Sequence, residues 1–381
     1  MPIVDGSRRD RPLLFFPPWD DTAGMASSDL KFGCQVITYG DVEGTIEAAK
    51  RVESAGFDIL GVPDHLFHPS NSDEFLTEPA WEAFSVLGAV ARETERVELW
   101  PTVTDSVRRH PTELAHVTAT IDQLSDGRAG FGIGAGEAFN FSVIGDIDWS
   151  DPFTRFVETV RVVDGLWRST PEDPLTFDGE FFQLDAADLG LKPVQRPRPP
   201  IWVGGYGYDM RGFTGAFADG WLPWVMTPEH YAEDLQRVLD VAEDRGRDPD
   251  AIDRAVMVPT NVGADGDEAL EQGIENNRAT LALRPPLLER MGYEEIAEEA
   301  PLIREMQFTL DQQRQLLDAA EQVPEDAVDR AIIAGDPERA IDRIETFVDA
   351  GVDNLILVPI GDFEETARHF EETIIPYFRE E

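Results

Sequence analysis

Apolar and polar positions along the chain follow two alternating patterns from Lys31 onward. Short runs rich in β-branched and aromatic residues are typical of strands, and the longer segments between them repeat apolar residues at helical spacing. The predicted strands cover residues 31–38, 57–62, 97–104, 129–134, 200–204, 220–225, 254–261 and 353–358. The predicted helices cover residues 42–54, 81–94, 111–124, 152–169, 209–218, 228–245 and 337–350.

Eight strands separated by helices predict a parallel sheet that closes into a barrel. We therefore expect the α/β class and a (β/α)8 TIM barrel. Two segments are longer than a single crossover requires. Residues 170–200, after strand four, predict a hairpin, and residues 264–336, after strand seven, predict an insertion whose stretch 284–324 forms two or three helices.

The first residues do not follow this pattern. Arg8 and Arg9 precede a short apolar run, as in a twin-arginine export signal, but the run is too short and no small-residue cleavage site follows. We expect a disordered N-terminal arm at residues 1–28 and a single barrel domain at residues 29–381. Met25 would make a normal start, so we also expect that residues 1–24 need not belong to the native product.

The charge of the chain adds a second expectation. In 381 residues, 75 acidic and 32 basic side chains give a formal net charge of -43. This self-repulsion destabilises a compact state at low salt and is screened at molar salt, where the Debye length is ~3 Å. The acid is spread over every helix, unlike an acidic interaction tail. We expect a cytoplasmic enzyme of a halophile, and the negative charge excludes nucleic acid as a partner.

Other classes of protein are excluded by what the sequence lacks. Cys34 is the only cysteine, so no internal disulfide framework exists. No apolar run approaches the ~20 residues of a membrane span, and the histidines have no metal-ligand spacing. The expected partner is a small-molecule substrate, with no metal and no membrane.

A glycine-rich turn follows the fourth predicted strand. Gly132, Gly134 and Gly136 lie where absent side chains would let a flat ligand approach the backbone, and Glu137 and Asn140 come next. Active sites of such barrels lie at the C-terminal ends of the strands. The candidate residues at those ends are Asp64, His65, Thr102, Val103, Ala135, Gly136, Glu137, Asn140, Gly204, Gly205, Tyr206 and Trp224.

Each candidate has a structural alternative. A histidine beside a carboxylate can have its pKa tuned towards neutrality, but Asp64 could also cap a helix and leave His65 exposed. Glu137 could stabilise the start of a helix at Ala138 through the helix dipole. The glycines at 204–207 could cradle a phosphate on backbone N–H groups or form an ordinary turn.

Several stretches resemble the luciferase-like superfamily, in particular its branch of oxidoreductases that use the deazaflavin coenzyme F420. Each motif is weak alone, but their order and spacing over about 350 residues are specific. The motifs are PTVTDSVRRHP at 101–111, GRAGFGIGAGEAFN at 127–140, FDGEFF at 177–182, PIWVGG at 200–205, ADGW at 218–221 and GDPERAIDRIETFVDAGVDNLILVP at 335–359.

The resemblance implies roles for the candidate residues. It places His65 near the substrate and Asp64 near the deazaflavin, and it makes Glu137 the acid that protonates the cofactor ring as hydride arrives. Asn140 would bind the ring, and a non-prolyl cis peptide at 102–103 would support its back. A buried glutamic acid in that position should have a raised pKa. The resemblance also implies a homodimer or a higher homo-oligomer, and an insertion over the barrel mouth.

Departures from the family patterns bear on the substrate. The glucose 6-phosphate branch carries a tryptophan shortly after Asp-His and uses lysines for the phosphate, whereas this chain has only three lysines and none at a candidate position. The archaeal methylene-tetrahydropterin reductases share the motif at 101–111, but they have glutamate at the position of Gln35 and aspartate at that of Glu137.

The leading hypothesis is a coenzyme F420-dependent oxidoreductase in which His65 and Glu137 are catalytic. The expected reaction reduces a 5,10-methylene-tetrahydropterin or -tetrahydrofolate, because a pterin suits an aromatic mouth. The aromatic residues assigned to that mouth are Phe67, Trp100, Phe139 and Trp224. The alternatives are an F420-dependent sugar-phosphate or alcohol dehydrogenase, a luciferase-like monooxygenase that uses reduced FMN and oxygen, and a non-catalytic flavin-binding barrel.

Salt is predicted to stabilise the protein by screening its negative charge. We expect the melting temperature to rise by roughly 10 °C or more between about 0.1 M and 2 M KCl. Thermal unfolding followed by circular dichroism measures this rise. A melting temperature that is flat or falls with salt would contradict the screening interpretation.

Overall fold

The computed structural model describes residues 30–36, 38, 41–69, 77–141, 144, 147, 149–302 and 309–379. The predicted N-terminal arm at residues 1–28 lies outside this part of the chain, and the extent of the domain stays a prediction. None of the helices in the described part is both long enough and apolar enough to cross a membrane.

Fourteen strands are present in the described residues. They are β1 (Lys31–Gln35), β2 (Ile59–Val62), β3 (Phe67–Pro69), β4 (Thr77–Pro79), β5 (Glu98–Pro101), β6 (Thr104–Asp105), β7 (Phe131–Gly134), β8 (Leu175–Asp178), β9 (Gln183–Ala187), β10 (Ile201–Val203), β11 (Gly220–Trp221), β12 (Asp253–Val262), β13 (Ile333–Gly335) and β14 (Asn354–Pro359).

Helices follow most of the parallel strands. They are α1 (Val42–Ser54), α2 (Ala83–Glu93), α3 (Pro111–Leu124), α4 (Ala138–Phe141), α5 (Pro152–Arg168), α6 (Tyr208–Phe217), α7 (Pro228–Asp244), α8 (Gly266–Ala282), α9 (Pro285–Arg290), α10 (Glu294–Glu299), α11 (Leu310–Gln322), α12 (Glu325–Asp329), α13 (Pro337–Asp349), α14 (Phe363–His369) and α15 (Ile375–Arg379), with a 3₁₀ turn at Pro249–Ala251 and a π-helical turn at Phe370–Ile374.

Ten of the strands form one parallel sheet that closes into a barrel. Its order is β5-β2-β1-β14-β12-β11-β10-β7-β6, with β13 paired to β12. Strands β5 and β6 are two parts of one strand, interrupted at Thr102 and Val103, and Leu99 bridges Ala129 before β7. The first and last strands of this order are therefore parts of one strand, and the sheet closes on itself. The predicted α/β class and (β/α)8 barrel are confirmed, and β13 is an addition that sequence reasoning did not predict.

Aspartates lie at the N-terminal caps of many of the surrounding helices, and these caps account for part of the acidic residues in the sequence. The side chains of Asp41, Asp151, Asp265, Asp336 and Asp362 each accept a hydrogen bond from a backbone N–H in the first turn of α1, α5, α8, α13 and α14. A carboxylate in this position satisfies an otherwise unpaired N–H and interacts favourably with the helix dipole.

Both predicted insertions are present. Between β7 and β10, strands β8 and β9 pair antiparallel as the expected hairpin. Between β12 and β14, the described residues of 266–329 form five helices, α8 to α12. Three of them, α9, α10 and α11, lie in the stretch 284–324, for which two or three helices were predicted. A hydrophobic cluster joins these helices to Trp224 and Val225 after β11, so the insertion packs at the C-terminal end of the barrel.

A stacked tryptophan pair fills the interior near the N-terminal end of the barrel. The rings of Trp100 and Trp202 lie 3.9 Å apart, centroid to centroid, and are almost completely buried. The Trp100 indole N–H donates to Glu98, and that of Trp202 donates to Asp253, at 3.1 and 2.9 Å. Both carboxylates belong to the first residues of their strands. The assignment of Trp100 to the mouth is therefore wrong, because alternation along a strand identifies the face but not the depth of a side chain.

The carboxyl group of Asp253 titrates in an unusual range. Burial raises its pKa to about 7, with further contributions from Asp353 and Glu98 that Trp202 and Lys31 oppose. The group therefore binds a proton more readily in the folded than in the unfolded state. The stability that this proton binding contributes is fully present below the ordinary pKa of 3.8 and is lost as the pH rises through about 7.

An asparagine cannot ionise, so Asp253→Asn should not lose stability as the pH rises, and its side-chain oxygen can still accept the hydrogen bond from Trp202. We expect its free energy of unfolding to exceed that of the wild type by on the order of a few kcal/mol at about pH 8, and the difference to shrink towards about pH 5. Denaturant unfolding across this range measures the difference. Asp244→Asn, which alters an exposed carboxylate of α7, is the control, and a difference that is constant with pH would contradict the assignment.

Candidate active site

The predicted site residues do meet at one end of the barrel. They lie after β2, between β5 and β6, after β7, after β10 and after β11, which are all C-terminal strand ends in a parallel sheet. Direct contacts join neighbouring segments. Asn140 reaches His65, the Thr102 hydroxyl accepts from Gln35 at 2.9 Å, and the N–H of Gly204 donates to the Ile133 carbonyl at 2.9 Å.

His65 is oriented by Asn140. The Asn140 carbonyl oxygen accepts the backbone N–H of Leu66 at 3.1 Å, so its amide nitrogen faces His65 Nδ1, at 3.2 Å. An amide nitrogen can only donate, and Nδ1 must therefore accept, which puts the proton of the neutral ring on Nε2. Burial lowers the pKa of His65, against the influence of Asp64. The ring is thus held neutral with Nε2–H as its donor.

Glu137 is an acid whose pKa is suited to proton transfer near neutrality. Burial raises the pKa to about 7, Asp105 adds to the rise, and Arg284 opposes it. Helix α4 begins at Ala138, directly after Glu137, so the structure is compatible with the alternative in which Glu137 stabilises the start of that helix through its dipole. Its backbone carbonyl accepts the N–H of Asn140 at 3.1 Å. The turn that carries the acid therefore also carries the amide that orients His65.

Asp64 is enclosed by cations and is not a helix cap. It is 3% exposed, accepts from the Thr104 hydroxyl at 2.6 Å and forms ion pairs with Arg108 and Arg109 at 2.8 and 2.6 Å. Burial alone would raise its pKa, but these partners lower it below the ordinary value. Asp64 is therefore a permanent anion at the site, in contrast to Glu137.

The peptide bond between Thr102 and Val103 is cis, as the resemblance implied. The Val103 side chain occupies space that glycines leave open. A Cβ added to Gly132 would lie 3.2 Å from Val103 and 2.2 Å from the Pro101 carbonyl oxygen, and one added to Gly204 would lie 3.0 Å from Val103. These glycines are thus required by protein packing, which differs from the expected direct approach of a ligand at Gly132.

The turns after β7 and β10 differ in how they use glycine. Gly136 has φ +102° and lies over Asp105, since an added Cβ would be 3.3 Å from that side chain. The preceding Ala135 carbonyl accepts the Ser106 hydroxyl at 3.4 Å. Gly205 has φ +120°, and its carbonyl accepts from Trp221. The N–H of Gly204 already belongs to the sheet, so any phosphate cradle at 204–207 would have to use later N–H groups.

Sequence reasoning missed Arg284, which the helical insertion places at this end of the barrel. Its guanidinium donates to the carbonyls of Trp224 and Val225, the second at 2.8 Å, and lies 3.4 Å from the centre of the Tyr206 ring. Arg284 is 5% exposed, and among the described residues no carboxylate lies within ion-pair distance of it. It therefore brings a cation with no ion-pair partner into the surroundings of Glu137. Nothing local in the sequence distinguishes this arginine from others.

The aromatic mouth is only partly as predicted. Trp224 and Tyr206 are half-buried at the C-terminal end of the barrel, whereas Trp100 lies at the opposite end. The side chains of Phe67 and Phe139 lie outside the described part of the structure. In the same described part, no group of three or more His, Cys, Asp or Glu side chains is placed to hold a metal ion.

Comparisons with known proteins agree with this architecture. A family model described as luciferase-like monooxygenase matches residues 25–354. The phthiodiolone/phenolphthiodiolone dimycocerosates ketoreductase of Mycobacterium tuberculosis is 30% identical over 304 residues, which are 78% of this chain and 79% of that protein. The 5,10-methylenetetrahydromethanopterin reductase of Archaeoglobus fulgidus is 29% identical over 353 residues, 91% of this chain and 99% of that protein.

Two solved structures share the fold over almost their whole length. The coenzyme F420-dependent tetrahydromethanopterin reductase of Methanopyrus kandleri superposes with a TM-score of 0.76 at 25% identity, covering 92% of this chain and 100% of that chain. An F420-dependent secondary alcohol dehydrogenase, in complex with an F420-acetone adduct, superposes with a TM-score of 0.75 at 25% identity, covering 91% and 98%.

Substituting Gly132 and Gly134 of β7 tests whether protein packing requires the first of these glycines. A Cβ at Gly132 would be 2.2 Å from a backbone oxygen, whereas one at Gly134 would meet Val103 at 3.4 Å, an ordinary contact. We expect Gly132→Ala to lower the free energy of unfolding by about 1–3 kcal/mol or more, and Gly134→Ala to change it by well under 1 kcal/mol. Denaturant unfolding measures both. Equal stabilities for the two variants would indicate that space for a ligand, and not packing, requires Gly132.

Proposed function

Because the chain belongs to the luciferase-like monooxygenase family, we propose that it is a coenzyme F420-dependent oxidoreductase that transfers hydride between the deazaflavin and a carbon substrate. The chain is an enzyme, as its relatives are. One observation carries the proposal. A single rim holds an acid with a pKa of about 7, Glu137, and a neutral histidine, His65, joined through Asn140.

The residues at the rim fit a flat redox ring. Val103 packs against Gly132 and Gly134 of β7 and against Gly204, which follows β10, and these three positions carry no side chain. When bound, the deazaflavin would supply or accept the hydride. The residues proposed to hold it are Thr102, Val103, Ala135, Gly136, Glu137, Asn140, Gly204, Gly205 and Tyr206, with Asp64 behind His65.

The two catalytic side chains have complementary proton chemistry. Glu137 is close to half protonated at neutral pH, so it can give a proton at the ring and take it back. His65 is neutral, with its Nδ1 accepting from Asn140 and its proton on Nε2, so it can take part in proton transfer without carrying a charge. Arg284 would stabilise the Glu137 carboxylate after it has lost its proton, because its charge lowers the pKa of Glu137.

For the substrate, we propose a 5,10-methylene-tetrahydropterin or -tetrahydrofolate that is reduced to the methyl form. This rests on the methylenetetrahydromethanopterin reductase of A. fulgidus, which this chain matches over 99% of its length, and on the half-buried Trp224 and Tyr206 at the mouth. Alcohol or ketone chemistry is the second candidate, favoured by the alcohol dehydrogenase neighbour and the mycobacterial ketoreductase. Homodimer assembly, a cytoplasmic location and a halophilic source stay predictions.

A cofactor exchange experiment tests the proposed function. Purified protein is titrated with F420 and with FMN, and turnover of methylene-tetrahydropterin, methylene-tetrahydrofolate, secondary alcohols and ketones is followed by deazaflavin absorbance. We expect F420 to bind and to be oxidised or reduced with one of these substrates. Tight retention of FMN with NADH-linked oxygen uptake would contradict the proposal and favour a monooxygenase.

Glu137→Gln should separate binding from chemistry. We expect F420 affinity to change little and turnover to fall by about 10²–10⁴-fold, since the acid is lost and the shape is retained. In the wild type, turnover in the direction that needs a protonated Glu137 should decline above about pH 7, and the variant should lack that limb.

His65→Asn should also reduce turnover, and Glu321→Gln, at an exposed position of α11, is the control that should leave it unchanged. Unaltered activity and affinity in both Glu137→Gln and His65→Asn would favour a non-catalytic barrel.

A further inference from the structure

We propose that Arg108 is a positioning residue that ties the segment carrying His65 to the turn carrying Glu137 and fixes the charge balance between them. The inference deepens the proposed function, on which the roles of those two side chains rest. It concerns a residue of the motif at 101–111 to which sequence reasoning gave no role.

Arg108 connects two strand ends in the interior. Its side chain is 8% exposed. Nη2 donates to the Asp64 carbonyl at 2.5 Å and forms an ion pair with the Asp64 carboxylate at 2.8 Å. Nε donates to Asp105 at 2.5 Å. One guanidinium therefore holds the end of β2 against the end of β6 through three contacts, in the fork geometry that only arginine offers.

The first end of this bridge acts on His65. The Asp64 carbonyl belongs to the peptide bond that leads into His65, so the bond from Arg108 orients the backbone at that residue. The side chain of His65 is then fixed by Asn140. The main chain at His65 is thus held by Arg108 and its ring by Asn140.

The second end acts on the Glu137 turn. Asp105 lies under Gly136, where an added Cβ would be 3.3 Å away. The next residue, Ser106, donates its N–H to the Gly134 carbonyl at 3.2 Å. The contacts form a closed circuit from Arg108 through Asp105 to the turn of Glu137, then through Asn140 to His65 and back.

Burial is the largest influence on the pKa of both proton-handling groups, and the charges of this circuit modify it. Asp64, Arg108 and Asp105 act on His65, and Arg108 lowers its pKa. Asp105 raises the pKa of Glu137, and Arg284 opposes it. Loss of the Arg108 charge would leave Asp105 without its ion pair. The pKa values of both His65 and Glu137 should then rise.

Arg109 provides a matched comparison. It also forms an ion pair with Asp64, at 2.6 Å, and a longer hydrogen bond to the Thr104 hydroxyl of β6, at 3.4 Å. Its further contacts, Glu82 at 2.6 Å and the ring of Phe84 at 4.9 Å, lie at the start of α2. It has no ion pair with Asp105. Arg109→Gln therefore removes a comparable buried ion pair without opening the bridge.

The experiment measures Glu137 titration in the cofactor-free protein. Unfolding free energies are determined between about pH 5 and pH 9 in the wild type, Arg108→Gln, Arg108→Lys and Arg109→Gln, each with and without Glu137→Gln, and the pH dependence of the difference reports the pKa of Glu137. We expect Arg108→Gln to raise that pKa by about one unit and Arg109→Gln to leave it within about 0.3 unit. Arg108→Lys, which keeps the charge but not the fork, should give an intermediate value.

Equal shifts in the Arg108 and Arg109 variants, or no shift in Arg108→Gln, would overturn the proposal. If Arg108→Gln does not fold, Arg108→Lys decides, and a pKa of Glu137 equal to that of the wild type would overturn it. The measurement needs neither F420 nor a substrate, so failure of the proposed function leaves its result intact. In an active enzyme, the pH limb assigned to Glu137 should move with the same variants.

Discussion

The site depends on the unequal pairing of its buried carboxylates with arginines. Asp64 and Asp105 form ion pairs with Arg108, and Asp64 also with Arg109. The two arginines and Thr104 hold the pKa of Asp64 below its ordinary value, against the effect of burial. Glu137 forms no such ion pair among the described residues. Burial, with a further contribution from Asp105, raises its pKa to about 7. Environments that separate the pKa values of neighbouring acids are a general way to assign one group to proton transfer and the others to support. Here the separation follows from which carboxylates the two adjacent arginines can reach.

The helical insertion belongs to the same electrostatic arrangement. Three of its arginines attach it to the segment after β11 and to α7. Arg284 donates to the Trp224 and Val225 carbonyls, Arg290 forms ion pairs with Glu233 and Asp234 at 2.8 and 3.0 Å, and Arg330 with Glu229 at 2.7 Å. Each of the exposed ion pairs contributes little to the stability of the fold. The buried Arg284 differs because it also faces Tyr206 and influences Glu137. The insertion thus contributes to the site and does not only cover it.

Much of the fold was predictable because its signals are local. The helix at 111–124 and the hairpin after strand four follow from periodicity, a proline at the first helical position and turn residues. The site was predictable as a set of strand ends, since a parallel barrel brings these together whatever their side chains. The cis peptide at 102–103 was implied only by the resemblance, because nothing in those two residues favours it.

What the sequence did not give depends on contacts between distant residues. Trp100 alternates correctly into the barrel, but its stack with Trp202 at the N-terminal end is set by the register of two strands far apart in sequence. Gly132 is small because an added Cβ would lie 2.2 Å from the carbonyl oxygen of Pro101, a residue of another strand of the sheet. The function of Arg108 and Arg284 follows from the carboxylates and carbonyls that they meet. Arginines that make buried contacts look the same in a sequence as those on the surface.

The most direct measurement is the protonation state of Glu137, followed by isotope-edited infrared spectroscopy of its carboxyl group as the pH is changed. The account predicts that the protonated band of the cofactor-free enzyme is half lost near pH 7, and that this band is missing in a protein without Glu137. Titration at the ordinary value of 4.5 would contradict the account, because Glu137 would then be one more permanent anion at the end of the barrel.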